Sequence, residues 1–397
     1  MTADVVAPAA GVTAEVVTLL RELVAVDSAN PSLVPGAAGE RAIAGYVERW
    51  ARDNGLSARI VAPDPARPSV LVRGGGGGGG RTLLLCGHLD TVGHGTMTDP
   101  LTPRVDGDRL YARGAYDMKA GLAAALIACR QAARDGLAGE VIVAAVADEE
   151  HASRGVRDVL AAGGLDVDAA IVTEPTELAV AVGHRGFVWS EIEVTGRAAH
   201  GSRPHLGVDA ILKAGPVLVA LAELDTRLRK TVHPLLGSGN LHGSLIEGGR
   251  EESTIPDRCL ITVERRTLPG ETVADVERDL AELLDRCRAD DPDLVVTSRT
   301  TLARDPFETD PSAPVVTALS AAVARVTGRA PEVTGMSYWA DSGFLAAAGI
   351  PTVLFGPGGD GAHAEVEWVS LADTVACADT LIAVARSFCG EAELPGH

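Results

Sequence analysis

An apolar run that ends abruptly in a histidine and an aspartate constrains the fold of this chain more than any other segment. Residues 83–86 read Leu-Leu-Leu-Cys and lead, through a glycine, into His88 and then Asp90. A short apolar run of this kind is typical of a buried strand in an α/β sheet. Ligands bind at the carboxyl ends of such strands. We therefore expect His88 and Asp90 to face a binding crevice.

The residue types at this strand end are suited to a metal site. His88 can ligate a metal through one ring nitrogen. Asp90 points to the same side of an extended chain, and its carboxylate could accept a hydrogen bond from the other ring nitrogen and so orient the imidazole. A strand-end histidine beside a capping aspartate would explain the same two residues without any metal.

Length and charge limit the class of protein. The chain has 397 residues, which predicts two domains. Its net charge is −19, with 54 acidic against 35 basic residues, which opposes a nucleic-acid or membrane partner because both need basic surfaces.

No apolar run approaches the ~20 residues that cross a bilayer, and residues 1–11 show no pattern of a secretory signal. Six scattered cysteines without Cys-x-x-Cys spacing fit buried free thiols in a reducing compartment. We expect a cytoplasmic protein.

The order of the predicted elements changes twice along the chain. Residues 1–186 alternate strands and helices, with polar residues after each strand, which predicts an open α/β sheet. Residues 187–299 follow the order βαββαβ, which predicts a split-βαβ, ferredoxin-like domain. The α/β pattern resumes over residues 300–397. We therefore expect an α/β catalytic domain in two parts with a smaller domain inserted between them.

Seven consecutive glycines, residues 74–80, precede the apolar run. A phosphate cradle is disfavoured because no Lys-Ser or Lys-Thr follows them. We expect a flexible hairpin loop between two strands.

Further metal-ligating side chains follow the other predicted strands. They are Asp117, Glu149, Glu150, Glu174 and His363. Two imidazoles with several carboxylates suit Zn²⁺, Mn²⁺ or Co²⁺ better than Ca²⁺ or Mg²⁺. Carboxylates gathered without a cation would repel one another and raise each other's pKa, whereas one carboxylate can bridge two ions that offset this charge. A set of unrelated surface acids is the alternative.

These motifs resemble, in order, those of one superfamily. They are residues 87–92 (Gly-His-Leu-Asp-Thr-Val), 113–121 (Arg-Gly-Ala-Tyr-Asp-Met-Lys-Ala-Gly), 148–150 (Asp-Glu-Glu), 174–176 (Glu-Pro-Thr) and the late His363. The superfamily contains the di-metal amidohydrolases and peptidases such as acetylornithine deacetylase, succinyl-diaminopimelate desuccinylase, aminoacylase and glutamate carboxypeptidase. The resemblance implies a zinc-peptidase-like catalytic domain, an inserted lid and dimerisation domain, and a homodimer.

The resemblance also implies the metal ligands. His88 would bind one ion and His363 the other. Asp117 would bridge the two ions, and Glu150 and Glu174 would each complete one of them. The expected metal is Zn²⁺, with Co²⁺ or Mn²⁺ as alternatives.

The resemblance implies three catalytic positions. Glu149 would be the general base that takes a proton from a metal-bridging water, and Asp90 would support His88. His200, in the inserted domain, would reach the active site of the partner subunit and polarise the scissile carbonyl.

Substrate-binding positions are less uniform. Arg266 resembles an arginine that binds the substrate carboxylate, although pairing with Glu264 or Glu271 would equally explain it. Ser253 stands where many members of the superfamily have asparagine. Trp339, just before an alanine that many members replace by threonine, either lines the pocket or packs beneath its loop.

Taken together, we expect metal-dependent hydrolysis of the amide bond of a small N-acyl amino acid. A carboxypeptidase or dipeptidase of the same superfamily is the alternative hypothesis, since it would use identical chemistry on a dipeptide-like substrate. A non-catalytic binding protein would be expected to have lost Glu149 or a ligand, and neither is missing. A serine hydrolase is disfavoured because no Gly-x-Ser-x-Gly motif is present.

Overall fold

The computed structural model describes residues 10–390 of the chain. Residues 1–9, on which much of the expected lack of a secretory signal rests, lie outside the described residues. The chain forms two compact units. The first contains the described residues up to Val182, Thr309–Thr334 and the residues from Ala340 onward, and the second contains Gly183–Glu308 and Gly335–Trp339. All six cysteines are buried and free, as expected.

One or more strands separate most of the helices in the described chain. The helices are α1 (Ala10–Val24), α2 (Arg41–Asp53), α3 (Ala120–Asp135), α4 (Arg154–Ala161), α5 (Ala210–Leu228), α6 (Val273–Asp290), α7 (Pro314–Thr327), α8 (Ser342–Ala347) and α9 (Leu371–Cys389). The strands are β1 (Ser57–Val61), β2 (Ser69–Gly75), β3 (Thr82–His88), β4 (Arg104–Asp106), β5 (Arg109–Tyr111), β6 (Glu140–Val146), β7 (Ala169–Val172), β8 (Val180–His184), β9 (Gly186–Thr195), β10 (Ala199–His200), β11 (Val232–His233), β12 (Gly237–Ser238), β13 (Asn240–Gly248), β14 (Thr254–Ile255), β15 (Arg258–Thr267), β16 (Val295–Arg304), β17 (Phe307–Glu308), β18 (Val333–Met336), β19 (Thr352–Leu354), β20 (Gly359–Asp360) and β21 (Trp368–Ser370). Within residues 10–390, no helix has both the length and the apolar character needed to cross a membrane.

The first unit is built on a mixed sheet in which the strand order is β1-β2-β6-β3-β7-β19-β8. Strands β6, β3, β7 and β19 run parallel to one another, whereas β1 and β2 are antiparallel to their neighbours. The apolar run at residues 83–86 forms the fully buried centre of β3. Parallel strands are covered on both faces, which explains why they read as continuous apolar runs. Their carboxyl ends meet at one edge of the sheet.

The expectation that the glycine run closes a hairpin is wrong. Residues 76–81, which include the last five glycines of the run, do connect β2 to β3, but β6 lies between these two strands in the sheet. Strand β6 pairs antiparallel with β2 and parallel with β3. The glycines therefore form a crossing between non-adjacent strands, which local turn composition cannot reveal because the intervening strand comes some 60 residues later in the sequence.

The second unit has the predicted split-βαβ order. Its antiparallel sheet runs β13-β15-β9-β16, and α5 and α6 bury their apolar faces against it. The expected inserted domain covered residues 187–299, and the unit begins four residues earlier and continues to Glu308. Pro216 does not end α5, which continues to Leu228.

Helix α3 of the first unit approaches the residues after β7 so closely that only glycine fits at position 121. A Cβ atom at Gly121 would lie 1.9 Å from the backbone oxygen of Thr173. We expect Gly121→Ala to lower the free energy of unfolding by about 1–3 kcal/mol or more, because the helix must shift to relieve the overlap. Chemical denaturation would measure the change.

Gly45→Ala in α2 is the matched control. Its new Cβ would meet only the flexible end of Arg49, at 3.3 Å, so stability should be unchanged or rise by up to about 1 kcal/mol. Equal unfolding midpoints for the two variants would contradict the packing of α3.

Candidate metal centre

The parallel strands of the first unit deliver most of the expected ligands to one edge of the sheet. His88 is the last residue of β3, and Glu149 and Glu150 follow the end of β6. Glu174 comes two residues after β7, and His363 lies between β20 and β21, in the segment that follows β19. Since the carboxyl ends of parallel strands share an edge, these four segments converge as the sequence predicted.

Asp117 lies at the same edge of the sheet, but no strand end carries it. It was expected among the ligands that follow predicted strands, but it lies in an irregular turn, Ala115–Lys119, that precedes α3. Its backbone angles, φ −113° and ψ 93°, are not helical. One carboxylate oxygen, Oδ1, lies 3.1 Å from Nε2 of His88, and the other, Oδ2, lies 3.2 Å from Nε2 of His363. Asp117 therefore stands between the two imidazoles.

Two groups of three ligating side chains result, and Asp117 belongs to both. The first group is His88, Asp117 and Glu174, and the second is Asp117, Glu150 and His363; within each group the ligating atoms lie within 4.8 Å of one another. Glu174 Oε1 is 3.9 Å from His88 Nε2, and Glu150 Oε2 is 3.0 Å from His363 Nε2. A carboxylate shared by two groups is the arrangement that bridges a pair of ions.

The protonation behaviour of these groups reflects crowded negative charge. Burial raises the pKa of Glu174 to about 8, against the favourable charge of His88 and with added repulsion from Asp117 and Glu150. Burial, followed by repulsion from Asp117, also raises the pKa of Glu150. Hydrogen bonds to Asp117 and Glu150 raise the pKa of His363 to about 10. The cluster thus favours added positive charge.

The donor set fits a pair of divalent cations. Imidazole nitrogens and carboxylate oxygens suit Zn²⁺ and its first-row neighbours. Burial alone would raise the pKa of Asp117, but its hydrogen bonds with His363 and His88 outweigh burial and lower it, so this residue is a carboxylate and can bridge. Two cations in the two groups would offset the mutual repulsion of the acids.

Asp90 supports the site differently from the sequence-based expectation. The atom that lies 2.8 Å from Nδ1 of His88 is the backbone oxygen of Asp90, whereas the nearest carboxylate oxygen is 3.8 Å away. The carboxylate instead accepts hydrogen bonds from the backbone N–H groups of Glu149, at 3.1 Å, and Glu150, at 3.2 Å. The expected carboxylate–imidazole bond is therefore replaced by a carbonyl contact, because the carboxylate is turned toward the segment after β6.

Glu367 is a supporting residue that the sequence did not reveal. Its buried carboxylate accepts hydrogen bonds from the backbone N–H groups of Gly114, Tyr116 and Asp117, at 2.9–3.1 Å. It also pairs with Arg113 at 2.8 Å. These bonds hold the irregular turn that carries Asp117. Glu367 lies in no recognisable motif and is some 250 residues from its partners, so no local signal points to it.

In the second unit, His200 and Ser253 lie close together. Strand β10 pairs with β14, so that His200 is opposite Thr254, and the N–H of Gly201 donates to the backbone oxygen of Ser253 at 2.8 Å. The backbone N–H of Ser202 lies 3.2 Å from Nδ1 of His200. A backbone N–H can only donate, so Nδ1 accepts, and in the neutral ring the proton sits on Nε2.

Arg266 and Trp339 share an aromatic neighbour in the second unit. The guanidinium of Arg266 lies 5.3 Å from the ring centre of Phe187, and the ring of Trp339 lies 6.4 Å from the same ring. The indole N–H of Trp339 donates to the backbone oxygen of Asp305 at 3.1 Å. Trp339 is thus packed within this unit, which favours the packing interpretation over a pocket wall.

Arg266 is also paired with a neighbouring acid. Its Nε donates to Glu264 Oε1 at 2.6 Å, as the alternative interpretation expected. Within residues 10–390 this is the one hydrogen bond of the Arg266 guanidinium, so both Nη groups are available to another acceptor. A role in substrate binding stays a prediction.

The sequence of this chain is similar to sequences of known proteins. Residues 84–387 match the model of peptidase family M20/M25/M40. The chain belongs to this family. The acetylornithine deacetylase of Myxococcus xanthus is 32% identical over 328 residues, which cover 81% of this chain and 84% of that protein.

Solved structures share the fold. An M20 family metallo-carboxypeptidase from Sulfolobus solfataricus has a TM-score of 0.77 at 19% identity and covers 94% of this chain and 99% of its own. A dinuclear metal-binding M20 peptidase from Bacillus subtilis has a TM-score of 0.75 at 16% identity, and the match covers 96% of this chain and 99% of that one. Through its family, the chain is a metal-dependent hydrolase of amide bonds.

The shared position of Asp117 predicts how metal binding responds to substitution. We expect Asp117→Asn to weaken binding at both groups, because the amide carries no negative charge. Glu174→Gln, the matched control, should weaken binding at one group. Each loss should exceed the roughly 10- to 100-fold effect of removing a ligand's hydrogen-bond partner.

Titration of chelator-treated protein with Zn²⁺ against a chromophoric chelator would give the number and affinity of the ions. If Asp117→Asn lost only one ion and Glu174→Gln lost both, the assignment of the shared ligand would be wrong.

Proposed function

We propose that this protein hydrolyses the amide bond of a small N-acyl amino acid, with two Zn²⁺ ions, or Co²⁺ or Mn²⁺, and with Glu149 as general base. The observation that carries the proposal is the pair of ligand groups joined by Asp117 beside the consecutive acids Glu149 and Glu150. The relative named acetylornithine deacetylase favours a deacylase. A cytoplasmic location, supported by the free cysteines, is part of the proposal, and cell fractionation would test it.

The ligands divide between the two ions in this proposal. His88 and Glu174 would hold one ion, His363 and Glu150 the other, and Asp117 both. When bound, the ions supply Lewis-acid polarisation of the scissile carbonyl and lower the pKa of a water.

In this proposal, Glu149 moves the proton. Its backbone is fixed by the Asp90 carboxylate, and burial raises the pKa of its carboxyl well above the ordinary value. In the reaction, Glu149 accepts a proton from water as the water oxygen bonds to the carbonyl carbon. It then returns that proton to the amine nitrogen as the carbon–nitrogen bond breaks. A raised pKa suits both steps, because the same group must take up and release the proton near neutral pH.

Substitution of the two consecutive glutamates should separate base from ligand. We expect Glu149→Gln to keep both metals and lower kcat by at least ~10²-fold, because the amide cannot accept the proton. Glu150→Gln should instead weaken metal binding. Steady-state kinetics and metal titration on both variants would measure this, and the opposite pattern would reverse the two roles.

Substrate recognition requires a cation for the carboxylate of an N-acyl amino acid. The net charge of −19 repels anions at long range, so a local positive group is needed. Arg266 is the candidate, because a guanidinium can meet a carboxylate through two parallel hydrogen bonds. Its Nε is directed to Glu264, and its Nη groups would contact the substrate.

A carboxypeptidase or dipeptidase is the second candidate function. The metallo-carboxypeptidase from Sulfolobus solfataricus shares the fold, and cleavage of a peptide would use the same base and metals. Only the acyl side of the substrate distinguishes the two activities.

A small substrate panel would test the proposal. We expect hydrolysis of N-acetylornithine or another N-acetyl amino acid in preference to a dipeptide with the same carboxyl-terminal residue. Hydrolysis should fall strongly when the substrate carboxylate is amidated. Arg266→Ala should raise KM for the acid by roughly 10- to 150-fold, since a charge-assisted hydrogen bond is worth about 1.5–3 kcal/mol, and should leave the amide nearly unaffected.

Arg258→Ala is the matched control. Arg258 begins the same strand and pairs with Glu193 on the exposed face, so KM should not change. Equal kcat/KM of the wild type for acid and amide would refute the carboxylate requirement. Preference for the dipeptide would favour the second candidate function.

We also propose a homodimer formed through the second unit, with His200 acting at the site of the partner. Strand β13 is an edge of its sheet and exposes Leu245 and Ile246 by 63% and 56%. Helix α5 exposes Leu212 by 75%. An apolar edge strand is available for pairing with a second copy. The Nε2 proton of His200 could then donate to the oxygen on which negative charge develops.

Mixed dimers would test action in trans. Glu149→Gln and His200→Ala should each be inactive alone, but after subunit exchange a mixed dimer assembles one site with both residues intact. We expect activity to return to at most about a quarter of the wild-type value, since random mixing yields half mixed dimers with one intact site of two. Absence of recovery despite measured exchange would contradict trans action.

A further inference from the structure

Asn30 is a fully buried side chain behind the metal centre that is not one of the expected ligands. Its amide nitrogen lies 2.8 Å from Oδ2 of Asp90 and 3.1 Å from Oδ1 of Asp148. Its amide oxygen accepts from the backbone N–H of Ser32 at 2.9 Å. The orientation of the amide is therefore determined, because the reverse would place its oxygen against two carboxylates.

Both carboxylates to which Asn30 donates belong to residues that determine the conformation of the segment after β6. Asp90 accepts from the N–H groups of Glu149 and Glu150. Asp148 adopts a left-handed conformation, with φ 65°, immediately before these two glutamates. This conformation is uncommon for a residue with a side chain, although aspartate tolerates it better than most. Asn30 thus links the end of β3 to the turn that aims Glu149 and Glu150.

The wider network contains more negative than positive charge. Arg67, which is 6% exposed, makes two hydrogen bonds with Glu40, at 2.6 and 2.7 Å, and one with Asp148, at 2.7 Å. The same Glu40 carboxylate accepts the N–H of Asp148 at 3.1 Å. Two buried carboxylates, those of Glu40 and Asp148, thus bind one buried guanidinium, and the buried carboxylate of Asp90 adds a third negative charge to the network.

The role of Asn30 in this network follows from the geometry. Arg67 bonds to Glu40 and Asp148, and within the described residues no hydrogen bond joins it to Asp90. The Asn30 amide is the side chain that donates to both Asp90 and Asp148. Without its two N–H groups, two buried carboxylates would face each other with no donor between them, which is costly.

We propose that Asn30 is a positioning residue for the reaction. By donating to Asp90 and Asp148 together, it fixes the backbone of the base Glu149 and the ligand Glu150 relative to the strand that carries His88. Asn30 acts through these residues and touches neither substrate nor metal. The proposal rests on the roles assigned to Glu149 and Glu150 in the proposed function.

Substitution of Asn30 should disturb the metal centre as well as stability. We expect Asn30→Ala to weaken Zn²⁺ binding by about 10- to 100-fold, the range found when a residue that supports a ligand is removed. The visible absorption spectrum of the Co²⁺-loaded protein should change. The kcat for an N-acetyl amino acid should fall by a similar factor, while KM stays within about threefold because Asn30 does not contact substrate.

Asn54→Ala is the matched control. Asn54 is half-buried in the same unit and donates to the backbone oxygen of Trp50 at 2.9 Å, far in sequence from every ligand. This variant should lower stability while leaving Zn²⁺ affinity, the Co²⁺ spectrum and kcat within about twofold. Asn30→Ser, which keeps one donor, provides a milder change if Asn30→Ala does not fold.

A folded Asn30 variant with wild-type Zn²⁺ affinity and Co²⁺ spectrum would overturn the proposal and make Asn30 a residue of structural packing only. The metal measurements need no substrate. If the wild type hydrolyses no N-acyl amino acid, the proposed function fails, and Zn²⁺ affinity still decides the role of Asn30.

Discussion

The contact between one carboxylate and two imidazoles is the constraint on which the rest of the site depends. Asp117 directs one oxygen to His88 and the other to His363, at 3.1 and 3.2 Å. This requires a strand end, an irregular turn and a distant loop to meet at one point. The turn is held by Glu367 through three backbone N–H groups, so the position of Asp117 does not depend on its own segment alone.

The same constraint explains the polar network beneath the site. Acids that are gathered for metal binding destabilise the apolar sheet around them unless their oxygens are hydrogen-bonded. The Asp90 carboxylate accepts from two backbone N–H groups and the Asn30 amide, and the Asp148 carboxylate accepts from the Asn30 amide and the Arg67 guanidinium. Each of these bonds also fixes a backbone segment that carries a ligand or the base. Stabilisation of buried charge and preorganisation of the site are therefore achieved by the same contacts.

Much of this arrangement could be predicted from sequence, because it follows from local patterns. The apolar run at residues 83–86 identified β3. The polar residues after β6 and β7 predicted that candidate metal ligands gather at one edge of the sheet. The order βαββαβ predicted the second unit. The conformation around Asp117 was missed because the turn is held by the distant Glu367. The neighbour of β2 in the sheet was missed because β6 comes much later in the sequence. Glu367 and Asn30 were missed because their contacts are long-range and lie in no motif.

The central claim is that two ions share the Asp117 carboxylate. Anomalous diffraction at the zinc absorption edge from crystals of Zn²⁺-loaded protein would test it most directly. The account predicts two anomalous peaks about 3.5–4 Å apart, one beside His88 and Glu174 and the other beside Glu150 and His363, with Asp117 bound to both. A single peak, or two peaks of which only one contacts Asp117, would contradict it.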